Sequence, residues 1–471
     1  MGRSRGGCIT CKTRKRKCDE TRPACLACQN RPGGCGGYGV RLRWDNGIAS
    51  RGRFAGASTP AERESSPEKS NTSDDVPSTQ AGSWASSPSV QAQPSSEQAL
   101  PELDEAEEDR RVFQEFLRSG IQMLFSSKKG DWHQASFLQV IDESKAIVAV
   151  CVALQLSLDE NNFERFHQAY DKAVQLFKDE LLESQGTLKR GALGAGLLLC
   201  SVSFIQTIPW TNILHCIADL YNFHGDLTEL NPHVDPYTYH FFEVLGVMDL
   251  PNLVLGRQTR RLQFWRRFRR AQVQWDHCVD GGVESVSGVP RKLLDIIARI
   301  GEPGVEEELW IWTGEVGELL QTHLWDAWRY AGILVIRRQR GKDSTSAPAD
   351  PDITHTAMDS RLPCTEVVLC RLVSALDALR VGLERVEYQH LLVLNGTLFP
   401  YVSASAEFRL LRQHPEWKQA LNSMRDQRAK GDTSKSTQAL FGMIDEAWDR
   451  GDDIFDPEQA AASRGVELAL F

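Results

Sequence analysis

The 471-residue chain has no apolar run clean enough to span a membrane. Its most apolar stretch, Gly191 to Trp210, is interrupted by Ser201, Ser203, Gln206 and Pro209. That composition predicts a buried helix and no membrane partner. The first residues are basic and polar, unlike a secretory signal. An intracellular chain with reduced thiols is therefore expected. Alternating strand patterns are scarce, and no fixed-period repeat is visible. There is no G-x-S-x-G, no H-E-x-x-H and no P-loop, and the eleven His are scattered. Gly191, Gly194 and Gly196 lie in a helical run rather than after a strand, so they make no dinucleotide fingerprint. These absences argue against an enzyme.

What is present is a division of charge. Hydrophobic residues at 41% and charged residues at 25% suit an ordinary globular protein, and the net charge is -9. Residues 1–53 nevertheless carry 13 Lys and Arg against 3 Asp and Glu, a balance of +10. The remainder carries 41 against 60, a balance of -19. A basic head on an acidic body predicts nucleic-acid contact through the head.

Composition divides the chain into three parts. Residues 1–40 hold a cysteine cluster. Residues 41–101 are expected to be a linker, basic at first and then rich in Ser and Pro. Between Ser58 and Ser96, 12 of 39 positions are Ser and none is Ile, Leu, Phe or Met, too little apolar surface to fold. Residues 102–460 are expected to form one all-helical domain, making the chain mainly α. Six of the eight residues from Glu102 to Asp109 are acidic, as favours a helix N-terminus. Phe163, Phe166, Tyr170, Ala173, Phe177 and Leu181 recur at helical spacing. Further helices are expected over 145–158, 190–206, 211–221, 291–301, 306–338, 364–387 and 436–449, with loops near 226–240, 276–290 and 340–362. Cys151, Cys200, Cys216, Cys278, Cys364 and Cys370 read mostly as core.

The cluster runs C-x2-C-x6-C-x6-C-x2-C-x6-C: Cys8, Cys11, Cys18, Cys25, Cys28 and Cys35. It is two copies of C-x2-C-x6-C. A C-x2-C pair grips one metal from a tight turn, and a third thiolate returns from beyond a short helix. A disulfide knot conflicts with a reducing compartment. A single-zinc ribbon leaves two cysteines spare and the repeat unexplained. Two tetrahedral Zn²⁺ ions need eight ligand positions, which six sulfurs supply only if two sulfurs bridge. With every position filled by sulfur, the metal role is structural.

The two copies differ in charge. Between its second and third cysteines the first has KTRKRK, with Lys12, Arg14, Lys15, Arg16 and Lys17. The second has QNRPGG, with only Arg31. Only the first half can present several cations to DNA. Six thiolates and two Zn²⁺ sum to -2, so residues 1–53 stay near +8 when loaded. That charge suits phosphate contact, and Arg or Lys can donate to guanine O6 and N7 in the major groove. Arg41 and Arg43, with Arg51 and Arg53, are expected to follow the DNA backbone. RKRK at 14–17 also suits nuclear import.

The stretch closely resembles the fungal binuclear zinc cluster (Zn2Cys6) DNA-binding domain, in its cysteine spacing, its basic run, Cys18-Asp19-Glu20 and Pro23. The resemblance implies that Cys8 and Cys25 bridge two zinc ions. One zinc would take Cys8, Cys11, Cys18 and Cys25, and the other Cys8, Cys25, Cys28 and Cys35. It also implies that Arg14 and Lys15 occupy the main DNA-contact positions, reading CGG-type triplets. Residues 110–455 resemble, more loosely, the fungal-specific transcription factor domain of acriflavine-sensitivity-control-like regulators. GALGAGLLLCSVSFIQTIPW, 285-SVSGVPRKLLDI-296, LWDAWRYAGILVIRRQR, TLFPYVSASAEF and ALFGMIDEAWDRGDD carry that likeness.

Together these features predict a nuclear, zinc-dependent regulator of RNA polymerase II transcription. Its expected partners are double-stranded DNA, a second copy as homodimer, the transcription machinery and a small-molecule effector. No heptad run of about 3 repeats follows the cysteines, so no zipper is expected there. Phe113, Leu117, Ile121 and Leu124 form a shorter apolar period assigned to the large domain. RQTRRLQFWRRFRR at 257–270 is basic and amphipathic, which suits contact with a partner or nucleic acid or, more often, pairing with the acidic body of its own domain. IDEAWDRGDDIFDPE at 444–458, with seven acids, suits either an activation segment or a closing helix.

Overall fold

The computed structural model describes residues 8, 10–11, 14, 16–19, 21, 25–29 and 35, and then 105–127, 140–184, 187–230, 236–275, 281–346, 362–432 and 434–471. The linker expected over 41–101, and with it Arg41 and Arg43, lies outside the described residues, as do Lys12, Lys15 and Cys278. The chain divides into two units, Met1–Leu103 and Asp104–Phe471.

In the first unit, α1 spans Leu26–Gln29, and Thr10 and Cys11 are also helical.

The second unit is almost wholly helical. Its first half contains α2 (Glu105–Arg118), α3 (Lys145–Ser157), α4 (Phe163–Ser184), α5 (Arg190–Ile205), α6 (Thr211–Leu220), α7 (Pro236–Met248) and α8 (Phe264–Gln274). Its second half contains α9 (Arg291–Ile297), α10 (Val305–Ile311), α11 (Leu319–Ser346), α12 (Thr365–Gly382) and α13 (Leu398–Ser405). It continues through α14 (Phe408–Gln413), α15 (Pro415–Ala429), α16 (Lys435–Asp449) and α17 (Pro457–Arg464). The acids Glu105, Glu107 and Glu108 occupy the first turn of α2, where they oppose the helix dipole favourably.

Helix α5 is apolar on all sides because it is buried on all sides, and no described helix is long and apolar enough to cross a membrane. Gly196 lets neighbouring elements close on it: a Cβ there would lie 2.6 Å from Ile217 Cδ1 and 2.8 Å from Phe177 Cζ. Helix α11 is pinned by two buried indoles. Trp325 Nε1 donates to Gly288 O at 2.8 Å, and Trp328 Nε1 donates to Gly396 O at 2.7 Å.

Several expectations need correction. The helix expected over 306–338 is two helices, α10 and α11. Trp312 to Glu318 separates them, with Gly314 in the left-handed region at φ 86° and Gly317 closed over by Trp325. The loops expected near 226–240 and 340–362 are partly helical: α7 begins at Pro236 and α11 runs to Ser346. Phe163 is 57% exposed because it opens α4, and Lys435 Nζ lies over its ring, 4.9 Å from the centroid. Cys364 is exposed because it is the residue that leads into α12, while Cys151 and Cys200 are buried.

The second unit also includes the residues after 460. Val254–Leu255 (β1) pairs antiparallel with Leu468–Ala469 (β2), and Phe399 N donates to Leu470 O at 2.9 Å. Glu467, fully buried, accepts from Trp210 N, Thr211 N and Gln258 N at 2.7–2.9 Å. It thereby satisfies the otherwise unpaired backbone donors at the start of α6.

Candidate metal centre and nucleic-acid interface

Among the described residues of the first unit, the six cysteines form the interior. Cys8, Cys11, Cys18, Cys25 and Cys28 are buried against one another, with Cys35 partly buried beside them. No disulfide joins them. Their sulfurs fall into two overlapping groups, Cys8, Cys11, Cys18, Cys25 and Cys8, Cys25, Cys28, Cys35. Within each, the ligand atoms lie within 4.8 Å of one another, and Cys8 and Cys25 belong to both.

The sulfur spacing fits zinc. Zn–S bonds of about 2.3 Å in a tetrahedron place sulfurs roughly 3.8 Å apart. Sγ–Sγ separations are 3.5 Å for Cys8–Cys25, 3.8 Å for Cys8–Cys28 and 3.8 Å for Cys11–Cys25. Burial pushes the Cys8, Cys11 and Cys25 thiols up, reinforced at Cys11 and Cys25 by neighbouring sulfurs, with Cys11 at about 12. So many sulfurs at this spacing become thiolates only with cations among them. The donor set therefore fits two metal ions.

The two sequence copies repeat in three dimensions. Cys8 N donates to Cys18 Sγ at 3.3 Å, and Cys25 N donates to Cys35 Sγ at 3.5 Å, the same link in each half. Among the described residues, what the halves show to solvent differs. The first half exposes Arg14, Arg16 and Lys17. Arg14 N donates to Thr10 O at 3.1 Å, continuing the helical turn that starts the basic run. The second half exposes Leu26 and Ala27.

Asp19 joins the halves and was not singled out by charge or spacing. Its Oδ1 accepts from Thr21 N at 3.2 Å and Leu26 N at 3.0 Å, and its Oδ2 from Ala27 N at 2.9 Å. The donor from Ala27, followed by those of Thr21 and Leu26, holds its carboxyl well below the usual range. Its signal in sequence is a carboxylate directly after the third cysteine, seven residues before the first turn of α1.

Residues 6–45 match the fungal Zn(2)-Cys(6) binuclear cluster domain. The N-terminal module is such a domain, and it binds two zinc ions. Over 50 residues the chain is 50% identical to pestheic acid cluster transcriptional regulator 3 of Pestalotiopsis fici, covering 10% of this chain and 9% of that one. Over 38 residues it is 60% identical to the aspercryptin biosynthesis cluster-specific transcription regulator atnN of Emericella nidulans, covering 8% and 6%. Over 46 residues it is 48% identical to arginine metabolism regulation protein II of Saccharomyces cerevisiae, covering 9% and 5%. The chain thus spans less than a tenth of the length of these relatives. No solved structure matches the chain.

Two other candidate stretches are absorbed by the helical unit. In 257–270, Phe264, Trp265 and Phe268 are buried. Arg257 pairs with Asp249 at 2.7 Å, Arg266 with Glu302 at 2.6 Å and Arg269 with Asp295 at 3.0 Å. In 444–458, Phe455 stacks on buried Phe408, Asp445 pairs with Arg425 at 2.5 Å, and Asp456 caps α17. Ile454 is the large apolar side chain of that stretch left exposed, at 84%.

Proposed function

We propose that the chain is a nuclear, sequence-specific, zinc-dependent DNA-binding regulator of RNA polymerase II transcription. The observation that carries this reading is the asymmetry of the module: two equivalent sulfur-lined halves, only one of which presents Arg14, Arg16 and Lys17 to solvent. Cys8 and Cys25, common to both sulfur groups, would bridge the two zinc ions, with Cys11 and Cys18 completing one set of four ligands and Cys28 and Cys35 the other. Closed sulfur coordination leaves no site on the metal for water activation, in keeping with a non-enzyme. Arg14 and Lys15 read CGG-like triplets, while Lys12, Arg16, Lys17, Arg41 and Arg43 hold phosphates. The relatives' printed roles as transcription regulators support the reading, although their likeness is confined to the module. The helical unit, proposed to be the regulatory domain of the acriflavine-sensitivity-control-like type, answers to a small-molecule effector. A homodimer contacting the transcription machinery completes the scheme.

Selection of bound duplexes from a random pool by the zinc-loaded full chain tests it. Recovery of CGG-like triplets is expected, with the spacing of paired triplets reporting a dimer. Recovery of no preferred sequence would refute the reading.

A further inference from the structure

The helical unit contains a cavity of about 420 Å³, within the roughly 300–1,000 Å³ of small-molecule sites. Its walls come from β1 and the following loop, the Val335–Gln339 turn of α11, α13 and the start of α17. Arg257, Thr259, Arg261 and Arg338 line it, together with Asp456 and Glu458.

Arg257 is the informative residue. Its side chain is 8% exposed. Nη2 donates to Asp249 Oδ1 at 2.7 Å and Nε donates to Thr259 O at 3.2 Å, but Nη1 is buried without a partner among the described residues. The buried hydroxyl of Thr259 is likewise unpartnered. An unmatched buried donor costs about 1–3 kcal/mol, more for a charged one, and two from residues two positions apart call for an explanation. The rest of the wall is already engaged. Arg338 Nη2 donates to Ser403 O at 2.9 Å and to Glu407 at 3.0 Å. Asp456 Oδ1 accepts from Glu458 N at 3.1 Å, and Glu458 Oε2 accepts from Gly256 N at 3.1 Å. Arg261 is exposed at the cavity edge.

We propose that this cavity binds a small organic molecule through a carboxylate or phosphate group, met by Arg261 at the rim, with the buried Arg257 Nη1 and Thr259 Oγ1 turning toward it on binding. A guanidinium edge and a hydroxyl are the donors such oxyanions require. Asp456 and Glu458, in the same lining, disfavour ligands with a second anionic group beside them. The proposal gives a site and a ligand class to the effector reading above and rests on that reading only for its consequence. Binding is measured without DNA, so its failure would leave the DNA-binding reading standing.

The test is thermal unfolding of the zinc-loaded full chain titrated with inorganic phosphate and, separately, with acetate. Ionic strength is held with chloride, and ethylene glycol serves as the uncharged control. At least one anion should raise the melting temperature of the helical unit saturably, and which one does so identifies the group. Thr259→Val combined with Arg261→Gln keeps the buried Arg257–Asp249 pair. It should weaken that saturable response about tenfold or more, about 1.4 kcal/mol. Arg257→Gln should abolish it if the variant folds. Because the zinc module is unchanged in all three chains, anion binding to its cations cancels in the comparison. No saturable response to either anion, or the same apparent Kd in the double variant, overturns the proposal.

Discussion

The two units are built on different interiors. In the module the buried interior is sulfur: five cysteines at burial of 95% or more, with Cys35 beside them. In the helical unit it is a conventional apolar core, with Trp210, Trp265, Trp325 and Trp328 fully buried. Aromatic side chains of this kind remove about 150–250 Å² each from water. One unit folds because a metal gathers thiolates, the other because area leaves water. The difference also separates roles, since a metal scaffold leaves the polar surface of a short segment free for DNA, while a large core can enclose cavities.

Chelation of zinc should break the comparison most forcefully. Structural zinc is worth about 10–16 kcal/mol in small modules, so metal removal should unfold the module and abolish DNA binding. The helical signal by circular dichroism should persist. Cys18→Ala should have the same selective effect, read as lost zinc stoichiometry. Concurrent loss of the helical signal would refute the division.

Trp328→Ala should do the reverse. Removing a buried indole that packs on Phe399 and donates to Gly396 O should cost the helical unit about 3–5 kcal/mol by chemical denaturation, with two zinc ions retained.

Asp432→Asn should act more weakly and reveal a pH dependence. Burial opposes the Asp432 charge, but the Arg428 guanidinium at 2.8 Å and the donors of Ser434 and Thr437 outweigh it and hold the carboxyl below its usual range. A depressed folded pKa gives stability that is complete above the unfolded value of about 4 and lost as pH falls through the folded value. The wild type should therefore lose stability below about pH 4 more steeply than Asp432→Asn, and the variant should be about 1–3 kcal/mol weaker at pH 7. Parallel pH profiles for the two proteins would remove Asp432 from this role.

The smallest effect is expected at Ile454. It is 84% exposed, so Ile454→Ser should change stability by no more than about 0.5 kcal/mol. Phe455, one residue on and 4% exposed, sharpens the contrast, because Phe455→Ala should cost about 3–5 kcal/mol.

How much was legible in the sequence followed the range of the interaction. The metal ligands sit within 28 residues, and their spacing is set by local turns, so the cluster could be read directly. Helices with a clean apolar period, such as α4, or a long apolar run, such as α3 and α5, were equally plain. The break between α10 and α11 was not, because Trp312, Val316 and Leu319 continue the apolar pattern across Gly314 and Gly317. The pairing of Val254–Leu255 with Leu468–Ala469 was beyond reach, since two-residue strands carry no period and their partners are over 200 positions apart. Glu467 reads as one more surface acid near the C-terminus, yet three backbone donors converge on it. The cavity beside Arg257 was hidden for the same reason: its walls come from segments remote in sequence.

The most direct test of the account compares the zinc-loaded wild type with Arg14→Ala combined with Lys15→Ala, measuring affinity for a selected duplex and for scrambled duplexes at one salt concentration. Both proteins should hold two zinc ions per chain, with the preference for the selected duplex lost in the variant. An unchanged preference would contradict the assignment of DNA reading to the basic half of the module.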